Sequence, residues 1–263
     1  VNRALPAAEF LFDMRLSKRR ESALPDHIVP QSLDEAYLAQ NHLVSRMLAH
    51  IGGQPIGYKV AATNATAQRL LGVDSPFFGV LLSASSHPGP VTLESENFTV
   101  RCVEAEFAFE VGEDVPTTST AYTAETIVPF LASAFPSIEI VDHRYHDWKT
   151  VGAFSLIADN AIHGAWVSGD PCPDWRTLDF VSHPVTVFVN GVSHATGSGA
   201  AVLGNPLNAV AWLANELPRH GRQLRRGDHI STGTAADVYL AAPGDRVAAD
   251  FGKLGRVEVM FTP

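Results

Sequence analysis

The sequence predicts an α+β fold in which a smaller helical N-terminal part sits on a larger β-rich body. Three observations predict it. Apolar residues recur at helical spacing in the first part of the chain, and Ser32-Leu-Asp-Glu35 has the capping-box pattern that opens a helix. From about residue 80 short alternating runs take over, broken by Pro88, Gly89 and Pro90. Further on, Asn190-Gly191 lies between two β-rich runs and is a strong hairpin signal. The expected division is residues 1–80 for the helical region with one short strand, and 81–263 for the β-rich domain.

Taken in order, residues 5–19 read as a first helix. A second runs from Ser32 to about His50, burying Ala36, Ala39, Leu43, Val44 and Met47, and Gly52-Gly53 ends it. Residues 57–62 read as a short strand, and Asn64 to Leu71 as a short helix closed by Gly72. A loop containing Pro76 and Gly79 is expected next. Residues 101–112 form a strand by alternation, with Val103, Ala105, Phe107, Phe109 and Val111 on one face and Glu104, Glu106 and Glu110 on the other. Residues 123–134 read as a helix and 137–142 as a strand. After the hairpin of residues 182–196, Asn205 caps a helix that starts at Pro206 and ends near Leu217. Residues 224–234 and 245–261 read as β-rich.

The chain has 263 residues, enough for a sizeable core, and 46% of them are apolar. Its formal net charge is −9. An acidic chain without a long basic run is a poor partner for nucleic acid or an anionic membrane. No run of about 18 apolar residues occurs, which argues against a transmembrane helix. The first residues lack the apolar core of a signal peptide, so a cytoplasmic location is expected. Cys102 and Cys172 are too few for a disulfide framework or a cysteine metal site.

Glu104 and Glu106 stand two residues apart on one strand face, roughly 7 Å apart at Cα. Such a pair is either the solvated outer face of an antiparallel sheet or a pair of ligands for a hard cation. Glu139, between Ile138 and Ile140, points opposite to both and is either solvent-facing or a third ligand. Three carboxylates suit Mg²⁺ or Mn²⁺ and leave about one excess negative charge. Lys59, in an otherwise apolar strand, is either edge protection or the cation that offsets this excess. His143, His146 and His163 are the nearest histidines. Glu139, His143 and His146 could imitate a zinc site on a helix, but the alternation around Glu139 argues for a strand. The glycine-rich 197–204 stretch lacks nucleotide-loop spacing, and no Gly-x-Ser-x-Gly elbow occurs.

Gly57-Tyr-Lys-Val60, Leu71-Gly-Val-Asp-Ser-Pro-Phe-Phe-Gly79, Glu104-Ala-Glu106, Ile138-Glu-Ile-Val-Asp-His-Arg-Tyr-His-Asp-Trp148, Ala158-Asp-Asn160 and Gly204-Asn-Pro-Leu-Asn-Ala-Val-Ala-Trp-Leu213 together resemble the 2-keto-4-pentenoate hydratases of the fumarylacetoacetate hydrolase superfamily. The likeness runs from about residue 30 to the end. Gly227-Asp-His-Ile-Ser-Thr-Gly-Thr234 is similar to the superfamily's substrate-side loop, in a form nearer its C–C hydrolases. The resemblance implies a mixed β-roll and one Mg²⁺ or Mn²⁺ held by Glu104, Glu106 and Glu139. It also implies Lys59 in the active site, Asp159, Asn160 and Thr234 near the substrate, and a homo-oligomer.

Relatives act on 2-oxo acids derived from aromatic ring fission. The implied activity is hydration of a 2-hydroxy-2,4-dienoate, which ketonises to an unsaturated 2-oxo acid. The alternatives are decarboxylation of a related diacid, C–C hydrolysis of an acylpyruvate, or an oxo-acid-binding member without catalysis. Two departures from the family pattern bear on substrate and proton transfer. Phe77 stands where many hydratases have an acid, and Ile162 and His163 stand where small hydroxyl residues are common. An aromatic Phe77 implies an apolar wall and a bulky or apolar substrate tail. Proton transfer then falls to another group, His163 first and His143 second.

Overall fold

In the computed structural model, residues 2–263 are described. Six helices are α1 (Ala4–Ser17), α2 (Leu33–Ile51), α3 (Ala65–Leu71), α4 (Ala124–Ile127), α5 (Ala153–Ala158) and α6 (Pro206–Glu216). The strands are β1 (Pro55–Ala61), β2 (Phe77–Leu82), β3 (Ser86–Pro88), β4 (Val91–Leu93), β5 (Cys102–Val111), β6 (Leu131–Val141), β7 (His163–Ser168), β8 (Pro184–Val189), β9 (Val192–Ser198), β10 (His229–Thr234), β11 (Tyr239–Leu240), β12 (Arg246–Asp250) and β13 (Arg256–Phe261). One mixed sheet runs β2-β1-β10-β5-β6-β7-β3, with β11 also on β5; a second runs β4-β13-β12-β8-β9. No helix is long and apolar enough to cross a membrane among the described residues.

Local chemistry explains most element ends. Ser32 accepts a hydrogen bond from the Glu35 amide, and the Glu35 carboxylate reaches back to the amides of Gln31 and Arg3. Asn64 and Asn205 cap α3 and α6 through their side-chain oxygens. The β8–β9 hairpin turns on Asn190 and Gly191, both with positive φ as a two-residue turn requires. Burial in α2 falls on Ala36, Ala39, Leu43 and Val44, while Met47 is only half-buried.

Two expectations are corrected. Only Ala124–Ile127 of the expected 123–134 helix is α-helical; a single 3₁₀ turn follows and β6 begins at Leu131. Pro129 lacks an amide hydrogen and disfavours helix at Val128, which stops propagation. The stretch after Pro76 is not a loop. Phe77–Leu82 is β2, buried at every residue. Six continuous apolar residues are the mark of a strand covered on both faces, where alternation carries no signal.

β5 lies centrally and is also covered on both faces. Phe107 packs edge-on against Phe180 and Phe251, and Phe109 edge-on against Trp175 and tilted against Phe180. On the other face Ala108 packs with Leu81, Phe135 and Trp166. The acidic face of β5 is therefore not a solvated outer surface. α1 packs on α2, and α2 on α5, which lies within the β6–β7 connection.

Candidate active site

Strand register assembles the site. On the antiparallel β5–β6 pair, Glu104 stands opposite Glu139, and Glu106 opposite Ser137. On the parallel β1–β10 pair, Lys59 stands beside Ser231. Glu104, Glu106 and Glu139 each offer a carboxylate oxygen within 4.8 Å of the other two. Glu106 and Glu139 are wholly buried and Lys59 nearly so.

Each carboxylate has its own support. Lys59 Nζ lies 3.1 Å from Glu139 Oε2 and donates to the Ala161 carbonyl at 3.0 Å. His163 Nδ1 is 2.9 Å from Glu139 Oε1. Glu106 Oε2 accepts from Ser231 Oγ at 2.5 Å and from the Gly233 amide at 3.1 Å. Ser231 Oγ in turn accepts from Trp166 Nε1 at 3.0 Å. Glu106 Oε1 is a buried oxygen without a hydrogen-bond donor, and Glu139 Oε2 has only the Lys59 ammonium beside it. An unsatisfied anionic oxygen in a dry interior is costly, and three carboxylates converging on one point fit a hard divalent cation. The donor set, all carboxylate oxygen, suits Mg²⁺ or Mn²⁺ rather than zinc.

The electrostatics agree. Burial pushes Glu104 up to about 7, with Lys59 opposing and Glu139 adding to the rise. Burial and the neighbouring Glu139 and Glu104 hold Glu106 well above the usual carboxylate range. Burial would raise Glu139 too, but Lys59 and His163 outweigh it and hold Glu139 below its ordinary value. Burial would lower Lys59, but Glu139, Glu104 and Glu106 raise it, so it stays an ammonium. Burial lowers His163 and keeps its ring neutral, with Nδ1 donating to the ionised Glu139. Burial also pushes the Cys102 thiol up to about 12, so it offers no thiolate to the site.

A cavity of about 1270 Å³ opens onto this cluster. Lys59 and Glu104 form part of its wall, and Phe77, His143, Ile162 and Thr234 also line it. Thr234 Oγ1 donates to the Ala236 carbonyl at 2.7 Å, leaving its lone pairs toward other partners. Three other residues named from the sequence lie elsewhere. His163 is wholly buried behind Glu139 and is not on the cavity wall. Asp159 is wholly buried and paired with Arg15 and Arg144. The Asn160 side chain bonds both the amide and the carbonyl of Val80. Asp159 is thus held in ion pairs and Asn160 on the β2 backbone, and neither residue lines the cavity. Their short polar side chains are consumed by buried partners that the sequence does not reveal.

The sequence does not mark Ser231, Gly233 and Trp166 as supports for Glu106. The signal available was the i, i+2 spacing of Ser231 and Gly233 on β10. Without the β10–β5 pairing it has no target.

The sequence matches the family described as fumarylacetoacetate (FAA) hydrolase C-terminal over residues 63–262. It is 32% identical over 255 residues to a 2-keto-4-pentenoate hydratase of Paraburkholderia xenovorans (strain LB400), covering 97% of this chain and 93% of the relative. The chain belongs to the 2-keto-4-pentenoate hydratase family of the fumarylacetoacetate hydrolase superfamily. A 2-hydroxyhexa-2,4-dienoate hydratase of Comamonas testosteroni is 31% identical over 254 residues, covering 96% of this chain and 95% of that one. Among solved structures, the 4-oxalocrotonate decarboxylase from Pseudomonas putida G7, complexed with magnesium and adipate, superposes with a TM-score of 0.90 at 25% identity, covering 98% and 97% of the two chains. The fold is thus that of the fumarylacetoacetate hydrolase superfamily. Lys59 lies N-terminal to the stretch matched by the C-terminal family, on β1.

Proposed function

We propose that this chain is a divalent-metal-dependent hydratase of a 2-hydroxy-2,4-dienoate, acting on its unsaturated 2-oxo acid form. The observation that carries the reading is the convergence of Glu104, Glu106 and Glu139 beneath a large cavity, with the buried Glu106 Oε1 left without a partner. Relatives named as hydratases of this substrate class support it.

Glu104, Glu106 and Glu139 would hold Mg²⁺ or Mn²⁺. When bound, that ion supplies Lewis-acid stabilisation of negative charge on the 2-oxygen and carboxylate of the substrate. Lys59 has three N–H donors, of which Glu139 and Ala161 take two. The third is free to bond the substrate carboxylate or 2-oxygen, or to pass a proton. In hydration the 2-hydroxyl loses its proton and the far end of the diene gains one. Water then adds across the remaining conjugated double bond, hydroxyl to the β-carbon of the enone and proton to the α-carbon. His143, a neutral imidazole on the cavity wall, is suited to accept the proton of that water. His163 instead orients Glu139.

Phe77, Leu71, Trp148, Leu156 and Ile162 give the cavity an apolar side that suits an apolar or aromatic tail. A decarboxylase reading has one observation in its favour, the TM-score of 0.90 to 4-oxalocrotonate decarboxylase. The two separate by product: with Mg²⁺ and a panel of 2-oxo acids, hydration yields a 4-hydroxy-2-oxo acid and decarboxylation yields CO₂. CO₂ release with no hydrated product rejects the hydratase reading. Homo-oligomerisation is part of the same proposal and rests on the family resemblance; a monomer by light scattering would remove it.

A further inference from the structure

Asn160, Ala161 and Ile162 form a left-handed turn with no glycine in it, at φ values of 53°, 51° and 54°. Left-handed backbone is unfavourable for L-residues and most unusual for a β-branched one. Three in succession persist only where the surroundings over-determine them.

Those surroundings are specific. Asn160 is clamped to the β2 backbone at Val80 by two hydrogen bonds of 2.7 and 2.9 Å. The turn lies flat on Gly79, where an added Cβ would meet the Asn160 carbonyl at 2.6 Å. The Ile162 carbonyl accepts from the Asp142 amide. On the far side Arg15, from α1, makes three contacts. Its Nε lies 2.8 Å from Asp159 Oδ1, its Nη2 donates to the Asp159 carbonyl at 2.8 Å, and its Nη1 donates to the His163 carbonyl at 3.1 Å. Arg144 holds Asp159 Oδ2 at 2.9 Å and Asp142 Oδ2 at 3.0 Å.

The output of the turn is directed at the carboxylate cluster. Ala161 presents its carbonyl to Lys59, and His163, the next residue but one, holds Glu139. If the turn relaxed toward right-handed backbone, both partners of Glu139 would move together.

We propose that Arg15 is a positioning residue for the metal centre: by bridging Asp159 and the His163 carbonyl, it braces the left-handed turn that sets Lys59 and Glu139. α1 is thereby part of the active site, although it lies outside the stretch matched by the C-terminal family. Arg15 is the informative position because its removal leaves Asp159 paired with Arg144. Removing Asp159 would strand two buried cations.

The inference rests on the metal reading above, and its test keeps the two apart. Arg15→Met and Arg15→Lys are titrated with Mn²⁺ alone, followed by electron paramagnetic resonance, well below their melting temperatures. Turnover of a dienoate is measured in parallel. Arg15→Met binds Mn²⁺ roughly tenfold more weakly, as loss of a group that orients a metal ligand does. Its kcat falls by a similar factor or more while KM changes little. Arg15→Lys, which keeps the charge but cannot bridge all three acceptors, falls between the two. A folded Arg15→Met with wild-type Mn²⁺ affinity and kcat overturns the inference. Where Arg15→Met does not fold, a folded Arg15→Lys with wild-type values does the same. A wild-type chain that takes up no Mn²⁺ overturns the proposed function as well.

Discussion

Glu104 and Glu139 stand directly opposite each other on neighbouring antiparallel strands in the middle of the main sheet. Like charges in that position destabilise a sheet by roughly 0.2–1 kcal/mol even where water can reach them. Here Glu139 is wholly buried. A bound cation would offset that repulsion, with Lys59 offsetting part of it in advance. Glu104→Gln should therefore abolish measurable Mg²⁺ or Mn²⁺ binding by calorimetry. It should leave the melting temperature of the metal-free protein unchanged or higher, because one of two opposed charges is gone. A lower metal-free melting temperature with metal affinity intact would show that the carboxylates serve the fold instead.

The same repulsion gives a pH dependence. Glu104 is raised to about 7 and Glu106 well above the ordinary carboxylate value of 4.5, mainly by burial. For acids raised in the folded state, the metal-free chain binds extra protons. Their contribution to stability is full below about 4.5 and is lost as pH rises through about 7. Metal uptake must displace those protons. The rise in melting temperature produced by Mg²⁺ should thus grow from pH 5.5 to pH 8, and calorimetric binding enthalpies should vary with buffer ionisation enthalpy. A Mg²⁺ effect independent of pH across that window would count against the coupling.

Strand alternation leaves Glu104, Glu106 and Glu139 as either solvent-facing or metal-binding, and only the resemblance to the hydratases names them as a triad. The register that sets Glu104 opposite Glu139 is not legible, since it depends on contacts about 35 residues apart in the chain. The same holds for Ser231 and Gly233 beneath Glu106, and for His163 beneath Glu139. These are tertiary partners with no local signature. Phe77–Leu82 reads as a loop because a strand buried on both faces has no period-two pattern, and Pro76 and Gly79 supply turn signals. Residues 131–134 read as helix because Pro129 is a weaker cue than the apolar spacing around it.

Lys59 offers a sharper test than the triad. Lys59→Met keeps the buried stem and removes the ammonium. In the metal-loaded protein the cation still offsets the carboxylates, so the melting temperature should change little. Turnover should fall by about two orders of magnitude or more, the usual range for a positioned proton donor. A large stability loss with proportionate activity loss would make Lys59 a structural counter-ion only.

The two histidines should separate by readout. His163 touches Glu139 and lies off the cavity wall, whereas His143 lines the cavity. His163→Ala should weaken Mn²⁺ binding about tenfold through loss of orientation. His143→Ala should leave Mn²⁺ binding intact and lower kcat by about 10²-fold, as loss of a general base does. The assignment reverses if His143→Ala binds metal poorly or His163→Ala turns over normally.

Phe77 is expected to select the far end of the substrate. It is buried at the start of β2 and lines the cavity, as do Leu71, Trp148, Leu156 and Ile162. A carboxylate tail pressed against that wall would lose hydration without gaining a partner, at a cost of several kcal/mol. Two of the lining cations, Arg20 and Arg101, already spend their guanidinium groups on backbone carbonyls. An alkyl or aryl tail gains about 25 cal/mol for each Å² of apolar surface it buries, so one added phenyl or butyl group outweighs a short tail. The expected ranking in kcat/KM is therefore a dienoate with a bulky apolar tail, then the short dienoate, then a dicarboxylate. Phe77→Asp should reverse the preference against the bulky tail by about tenfold or more, since an ionised side chain in that wall must stay hydrated. Rates for the three substrate types, measured with wild type and Phe77→Asp at saturating Mg²⁺, check this. If the short dienoate is the best substrate of the wild type, or Phe77→Asp leaves the ranking unchanged, the apolar wall does not select the tail.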